Sequence, residues 1–403
     1  MNIVFLTDIV AESGSWIGRY RPLCERVVAA GHSVTVYMPS HTHPAPAADH
    51  SQVYGVVSVG PAYFEQLANS RLHHSTAKLF SMAFRHAVRV LRDQLIKQRV
   101  DAVIIGKPLP VSSTIGVILS RVRRSLLVLD CDDRELLLNN PGSRMVQRFL
   151  RYYEDRFPRF ADVVTTNTTQ THDRLVRLGV AAEKVIRIPN GVQRSVFDAA
   201  RHTVTPRGPD DAVRILYFGD ITLASGHEID VLLRAFADLM RRPIGARVRL
   251  DVIGDGADTG QLRALARRLG VDGMVEWHPR MTQTKLAAYL SRADITIDPV
   301  GLRRVNQFRA PLKIVESMYA GVPVITSDVG DRRLTLGDSG LYVDAGDPKS
   351  TADAMEFLAS HPETRHQLGQ RGRKRARIGY TWDTLGDQFV ALIEGTASPH
   401  RTL

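Results

Sequence analysis

Cysteine is nearly absent. Cys24 and Cys131 are the only two in 403 residues, far apart and outside any CxxC pattern. A disulfide framework and a zinc ribbon are thereby excluded. Long apolar runs are missing too: Ala102–Gly106 and Leu126–Leu129 fall far short of the roughly 20 residues a membrane-crossing helix needs. The opening MNIVFLTDIV has no basic stretch ahead of its apolar one and no cleavage signal, and it reads as a strand followed by Asp8. A soluble protein of the reducing cytoplasm is expected, with contact at the inner face of a membrane left open. Lysine is scarce, 8 against 45 arginines, in a chain of net charge +11. Arginine-rich composition accounts for that charge by itself. Phosphate-rich small ligands or an anionic membrane surface are the functional readings, and no nucleic-acid module is recognisable.

What is present is ordinary for a folded chain: 44% hydrophobic and 24% charged residues, at a length that suggests two domains or three. Short apolar runs alternate with amphipathic helical stretches, the pattern of a parallel α/β sheet. Asn2–Thr7, Ser33–Met38, Ala102–Ile105, Leu126–Leu129, Asp162–Thr166 and Val185–Ile188 read as strands. Helices are expected at about Arg19–Ala30, through most of Phe64–Gln98, at Ser112–Arg121 and at Met145–Phe157. Arg201–Ala212 is polar, contains proline and lacks periodicity, so the linker is placed there. The pattern then restarts at Arg214–Phe218. The expectation is a Rossmann-like domain over residues 1–200, a linker at 201–212, a second Rossmann-like domain over 213–380, and a closing helix and tail over 381–403. Such sheets bind ligands at the carboxyl ends of their strands, so a cleft between the two domains is the expected site.

The most informative segment is RAPLKIVESMYAGVPVIT, Arg309–Thr326. Pro311 suits a first helical position and Gly321 a helix end. The amides at that helix start can hold an anion, with Arg309 and Lys313 adding positive charge. Glu316 lies about one and a half turns in and could accept bonds from the two hydroxyls of a ribose. The plain alternative is a capped helix with a solvated glutamate.

This segment resembles the nucleotide-sugar signature of the family 4 glycosyltransferases, which retain anomeric configuration on the GT-B fold. ESGSWIGRYRPLCERVVAAGHSVTVY resembles their first loop and helix, and ADVVTTNTTQTHDRLVRLGVAAEKVIRIPNGV the end of their first domain. LDVIGDG and ADITIDPV resemble strands of their second domain, and YTWDTLGDQF the helix that crosses back. The most specific elements are Asn190-Gly191-Val192 and the set Pro311, Lys313, Glu316 and Gly321. The resemblance implies a nucleotide-diphosphate sugar, UDP- or GDP-linked, held by Gly14, Ser15, Gly219, Arg309, Pro311, Leu312, Lys313 and Glu316. It implies catalysis drawing on Asp132, Asp133 and Lys313, an unidentified acceptor near Arg19 and Asn190, and neither a cofactor nor a metal.

The chain departs from that family in three places. The usual Arg and Lys of G-R-x4-K-G are Asp220 and Ser225 here, so other cations must meet the diphosphate; Arg309, Lys313, Arg303, Arg304 and Arg19 are the candidates. The Glu eight residues before the ribose Glu is Phe308. A customary His-Asp pair is Asp132-Asp133, which could position sugar or acceptor, take a proton, or merely cap a helix at Glu135. Alternatives to transfer are a nucleotide-sugar epimerase, a phosphorylase-like catalyst, or a non-catalytic binding protein on the same fold.

Other signals are weaker. Asp130-Cys131-Asp132 spells a DxD metal motif, but in a fold other than this one. Gly254-Asp255-Gly256 stops short of GxGxxG, and Ser13-Gly14-Ser15 is not a nucleophile elbow. His41/His43 and His73/His74 lack a third ligand. Arg144–Phe160 interleaves arginine with aromatics and reads as a helix covering the sheet with snorkelling arginines, anionic lipid being the alternative. The region Ser40–Lys78, where an acceptor would bind, carries no readable motif.

Overall fold

The structure, a computed structural model, describes residues 1–40, 53–61, 64–67, 70–73, 76–96, 99–134, 136–137, 144–201 and 212–397. The chain divides into two compact units, Met1–Pro189 with Trp382–Leu403, and Asn190–Thr381.

The first unit holds β1 (Asn2–Thr7), β2 (Ser33–Ser40), β3 (Gly55–Pro61), β4 (Phe64–Leu67), β5 (Ser70–His73), β6 (Ala102–Gly106), β7 (Leu126–Cys131), β8 (Val163–Thr166) and β9 (Val185–Arg187). Seven of them form one parallel sheet in the order β3-β2-β1-β6-β7-β8-β9. Strands β6 and β7 are buried along their whole length, which is why Ala102–Gly106 and Leu126–Leu129 read as unbroken apolar runs. Ile3, Phe5 and Ile104 pack on one face under the helices Arg21–Ala29 and Trp382–Ala397. Val4, Leu6 and Ile105 pack on the other, under the helices Thr76–Ile96, Pro110–Arg123 and Arg144–Arg156.

The first helix starts earlier than its sequence suggests, and Pro22 explains its form. Trp16–Tyr20 is a π-turn that leads into Arg21–Ala29. Proline has no N–H to give the Gly18 carbonyl one turn back. The indole Nε1–H of Trp382 donates to that carbonyl instead, at 3.1 Å. A second difference concerns Phe64–Gln98, expected to be largely helical. Its first part is the antiparallel pair β4–β5, with Phe64 opposite His73, and the helix begins at Thr76. His41, His43, His74 and Glu135 lie outside the described residues.

The second unit holds β10 (Val213–Phe218), β11 (Val248–Ile253), β12 (Val275–His278), β13 (Ile295–Asp298), β14 (Val324–Ser327) and β15 (Gly340–Val343). They form a parallel sheet in the order β12-β11-β10-β13-β14-β15. The boundary between the units falls at Pro189, ahead of the seam expected at 201–212, most of which lies outside the described residues. The intervening helix Arg194–Arg201 belongs to the second unit. Its Phe197 ring lies 5.7 Å from that of Tyr319, and the Tyr319 hydroxyl donates to Asp198.

Candidate functional site

In both sheets the strand order reverses beside the first strand, at β1/β6 and at β10/β13. Open α/β sheets bind ligands at the carboxyl side of such a switch point. In the second unit that edge carries a cationic cluster. Asp298, the last residue of β13, is buried and bonded to two cations: Arg332 Nε at 2.8 Å and Lys313 Nζ at 3.3 Å. Burial alone would raise the Asp298 carboxyl, but the two cations outweigh it and hold it well below the usual range. Lys313 Nζ also sits 4.4 Å from the Tyr217 ring centroid. Burial lowers its pKa, with Asp298 opposing the shift.

Gly219 closes β10 at a φ of 143°, and a Cβ there would come within 3.3 Å of Lys313 Nζ. Gly254 closes β11 at a φ of 151°, and a Cβ there would overlap the Gly219 carbonyl oxygen. Both strand ends thus need glycine for the backbones to approach. Asp220 and Ser225, at the positions where the family carries its phosphate cations, bond to each other: Ser225 Oγ donates to Asp220 Oδ2 at 2.9 Å. Thr222 donates to the other Asp220 oxygen. The loop therefore closes on itself and presents no cation.

Arg309 differs from Lys313 and Arg332, both of which pair with Asp298. It is half-buried, its Nη1 donates to His227 Nε2 at 3.2 Å, and no carboxylate pairs with it among the described residues. Burial holds His227 well below its ordinary pKa, reinforced by Lys313 and Arg309, so the imidazole is neutral. With Nε2 accepting, the ring proton resides on Nδ1. Arg303 is exposed and donates to the Leu223 carbonyl at 2.9 Å, and Arg304 is exposed. The helix expected to begin at Pro311 runs Leu312–Ala320, with Pro311 as its cap. Leu312 and Lys313 supply its first amides, which have no acceptor within the helix. Asn190, expected on the acceptor side, belongs to this unit. Its Nδ2 donates to the Ala310 carbonyl at 2.9 Å and so holds the turn that carries Arg309. Glu316 is buried a turn further on. Burial raises its carboxyl from 4.5 to about 7, against the opposing bond from Gln283.

In the first unit, the switch-point edge holds Asp8, Lys107 and Asp132. Asp8 accepts from the Ser112 amide at 3.1 Å, at the start of the helix Pro110–Arg123, and burial lifts its pKa to about 6. Lys107 follows β6 with a φ of 75°, a left-handed conformation that costs a non-glycine residue about 1–2 kcal/mol. Its Nζ lies 3.3 Å from Asp132 Oδ1, and both side chains are buried. Asp132 is thus ion-paired, and Asp133 beside it is half-buried. Gly14 is exposed, and a Cβ on it would meet no protein atom within 4 Å; Ser15 is half-buried at the start of the π-turn.

Arg19 is placed in the interior of the first unit, donating to both Asp130 oxygens at 2.8 and 2.7 Å and to the Ile188 carbonyl. Thr165 completes the Asp130 shell. The Arg19 guanidinium, expected at the acceptor or a phosphate, is engaged by Asp130. The two acids of Asp130-Cys131-Asp132 therefore face Arg19 and Lys107. Among the described residues, one other cluster has ligand-like spacing, Asp251, Glu276 and His278; the Arg214 guanidinium already lies against both of its acids. His227, Asp298, Arg332 and Lys107 were not singled out from the sequence.

Two successive switch-point sheets, one with a cationic edge built on a Pro-Leu-Lys helix start, define the GT-B class of α/β protein. Solved structures agree on the fold. Sucrose-phosphate synthase from Thermosynechococcus elongatus is 19% identical at a TM-score of 0.75, with 98% of this chain and 99% of that one covered. Anabaena HepE in complex with UDP and glucose is 16% identical at 0.69, with 98% and 99% covered. Residues 17–191 match the family described as glycosyl transferase 4-like domain, and residues 212–361 the family described as glycosyl transferases group 1. The chain belongs to the family 4 type of glycosyltransferases. Among curated relatives, the D-inositol 3-phosphate glycosyltransferase of Thermomonospora curvata is 29% identical over 60% of this chain and 59% of its own length. That of Saccharomonospora viridis is 31% identical over 59% and 58%. The chain thus spans about three fifths of the length of the curated relatives it matches.

Proposed function

We propose that the chain transfers a glycosyl group from a nucleotide-diphosphate sugar to an acceptor, with retention of configuration and without a metal. The observation that carries this reading is Arg309, a cation without a carboxylate partner at the carboxyl edge of the second sheet. As the glycosidic C–O bond breaks, negative charge grows on the leaving diphosphate. A preplaced guanidinium and the helix amides of Leu312 and Lys313 stabilise that charge. Lys313 adds a positive field from behind, fixed by Asp298. Arg309 thereby takes the task of the cations absent at Asp220 and Ser225. Glu316 receives the ribose hydroxyls, and Gly219 leaves room for the diphosphate.

On the first unit, Gly14 lets a ligand approach the loop backbone closely, with the Ser15 hydroxyl beside it. Asp132 is tied to Lys107, so Asp133 is the carboxylate left to orient an acceptor hydroxyl. The relatives named for D-inositol 3-phosphate make a phosphorylated cyclitol the first acceptor to try. UDP and GDP are the first donor nucleotides, HepE having been solved with UDP. A cytoplasmic site of action follows from the use of such donors; no described helix is long and apolar enough to cross a membrane.

The test is turnover. The full chain is incubated with UDP- and GDP-linked hexoses and a panel of cyclitol phosphates, lipids and glycans, and nucleoside diphosphate release is followed. Release that requires an acceptor, with a product of unchanged anomeric configuration by proton NMR, is expected. Epimerised nucleotide sugar without acceptor, or donor binding without release across the panel, would contradict it.

A further inference from the structure

One face of the first unit has an unusual surface. The helices Thr76–Ile96, Pro110–Arg123 and Arg144–Arg156 bury their inner sides on the same side of the sheet, through Val90, Ile115, Leu119 and, just after the third helix, Phe157. Their outer stripes are not uniformly polar. Phe84 and Val88 face outward on the first helix, Ile118 and Val122 on the second, and Met145, Phe149 and Tyr152 on the third. These side chains are between 44% and 70% exposed, large values for apolar residues that a sheet-covering helix would turn inward. The third helix covers the sheet through Tyr153, as expected, and also carries an outward apolar stripe.

Arginines accompany each apolar pair. Arg85 and Arg92 flank Phe84 and Val88, Arg121 and Arg124 flank Val122, and Arg148 and Arg151 flank Phe149, all exposed. None of these six forms an ion pair among the described residues. No exposed Asp or Glu lies on the three helices: Glu154 is buried, and Asp155 is turned to Arg174. The opposite face of the sheet differs. There, Arg21 pairs with Glu25 and Arg26 with Asp387, and Asp383 and Glu394 are exposed. Of the two faces of this sheet, positive charge is thus concentrated on one helical layer, interleaved with apolar side chains at i, i+4 spacing.

We infer that this layer docks on an anionic lipid bilayer. The chemistry decides among partners. A nucleic acid or acidic protein would use the arginines but gain nothing from Phe84, Val122 and Met145 in water. A second copy of the same face would bring unpaired arginines against arginines. An anionic headgroup layer satisfies both halves: guanidinium groups meet phosphates, and the apolar side chains enter the acyl boundary a few ångströms below. Arginine stems can lie along that boundary with their heads at phosphate depth. Docking of this kind is reversible and falls as salt screens the charge.

The experiment is flotation of the full chain with phosphatidylglycerol-containing vesicles and with pure phosphatidylcholine vesicles, at low and high salt. Binding to the first, little to the second, and loss at high salt are expected. Arg148→Gln with Arg151→Gln should weaken partitioning about thirtyfold, from about 1 kcal/mol per surface charge. Phe84→Ser with Phe149→Ser should weaken it as well, with retention of the fold checked by circular dichroism. No flotation with either vesicle would overturn the inference. So would binding that neither variant alters, binding to heparin instead of vesicles, or a concentration-dependent dimer abolished by Phe149→Ser. These outcomes are independent of whether the second unit binds nucleotide.

Discussion

Replacing Arg309 by Gln isolates the cation to which the proposed chemistry assigns the diphosphate. In the unliganded chain the guanidinium makes one neutral hydrogen bond, to His227 at 3.2 Å, and no ion pair among the described residues. Its loss should therefore cost only about 1 kcal/mol of stability. A phosphate oxygen bound by Arg309 receives a charge-assisted bond worth about 1.5–3 kcal/mol. At 1.4 kcal/mol per decade, that is a loss of about tenfold to 150-fold in nucleoside diphosphate affinity. Uridine or guanosine, lacking phosphate, should bind within about twofold of wild type, since 0.4 kcal/mol is the most an indirect effect of that size permits. Calorimetric titration of each diphosphate beside its nucleoside, on wild-type and variant protein, makes the comparison. Equal losses for both ligands would show a disturbed pocket. No loss for either would show that Arg309 does not face the diphosphate.

Three further substitutions test the supporting structure. Asp298→Asn leaves the fully buried Arg332 and the largely covered Lys313 without a countercharge and should cost about 3–5 kcal/mol in chemical denaturation; a loss under 1 kcal/mol would contradict the buried ion-pair cluster. Arg19→Met should destabilise the first unit by a similar amount, because Asp130 stays buried and unpaired. A stable Arg19→Met protein with weakened ligand binding would place Arg19 in the binding site. Glu316 sets a pH dependence. Its carboxyl rises from 4.5 to about 7 on folding through burial, so between those values the folded state holds a proton that the unfolded state has lost. Stability then falls as pH rises through that window, by about 3 kcal/mol in total. Glu316→Gln should flatten the slope measured by urea unfolding at pH 5 and pH 8; an unchanged slope would assign it to other groups.

The parallel sheets were legible because buried stretches such as Ala102–Gly106 and Leu126–Leu129 are apolar at every position. The helix start at Leu312–Lys313 was legible for a similar reason, since proline and glycine punctuate it. Partnership across the sequence was not. Arg19 and Asp130 lie 111 positions apart, and nothing local in either marks it as half of a buried pair. Phe64–His73 misled because alternating and helical spacing are hard to tell apart over four residues. His227 carried no signal: a lone histidine gains meaning only when Arg309 is seen donating to it. The sequence also hid which side of Arg144–Arg156 faces out, since apolar and basic residues recur there at the same helical period.

The most direct test of the whole account is thermal shift with UDP, GDP, ADP, TDP and CDP, each beside its parent nucleoside. A ligand at about 100 times its dissociation constant stabilises by about 2.7 kcal/mol, a readily visible shift. The account predicts a clear preference for one diphosphate, UDP or GDP, well above its own nucleoside. No shift with any of the five would mean that Arg309 and Lys313 do not replace the cations absent at Asp220 and Ser225, and the chain would not be a nucleotide-sugar transferase of the proposed kind.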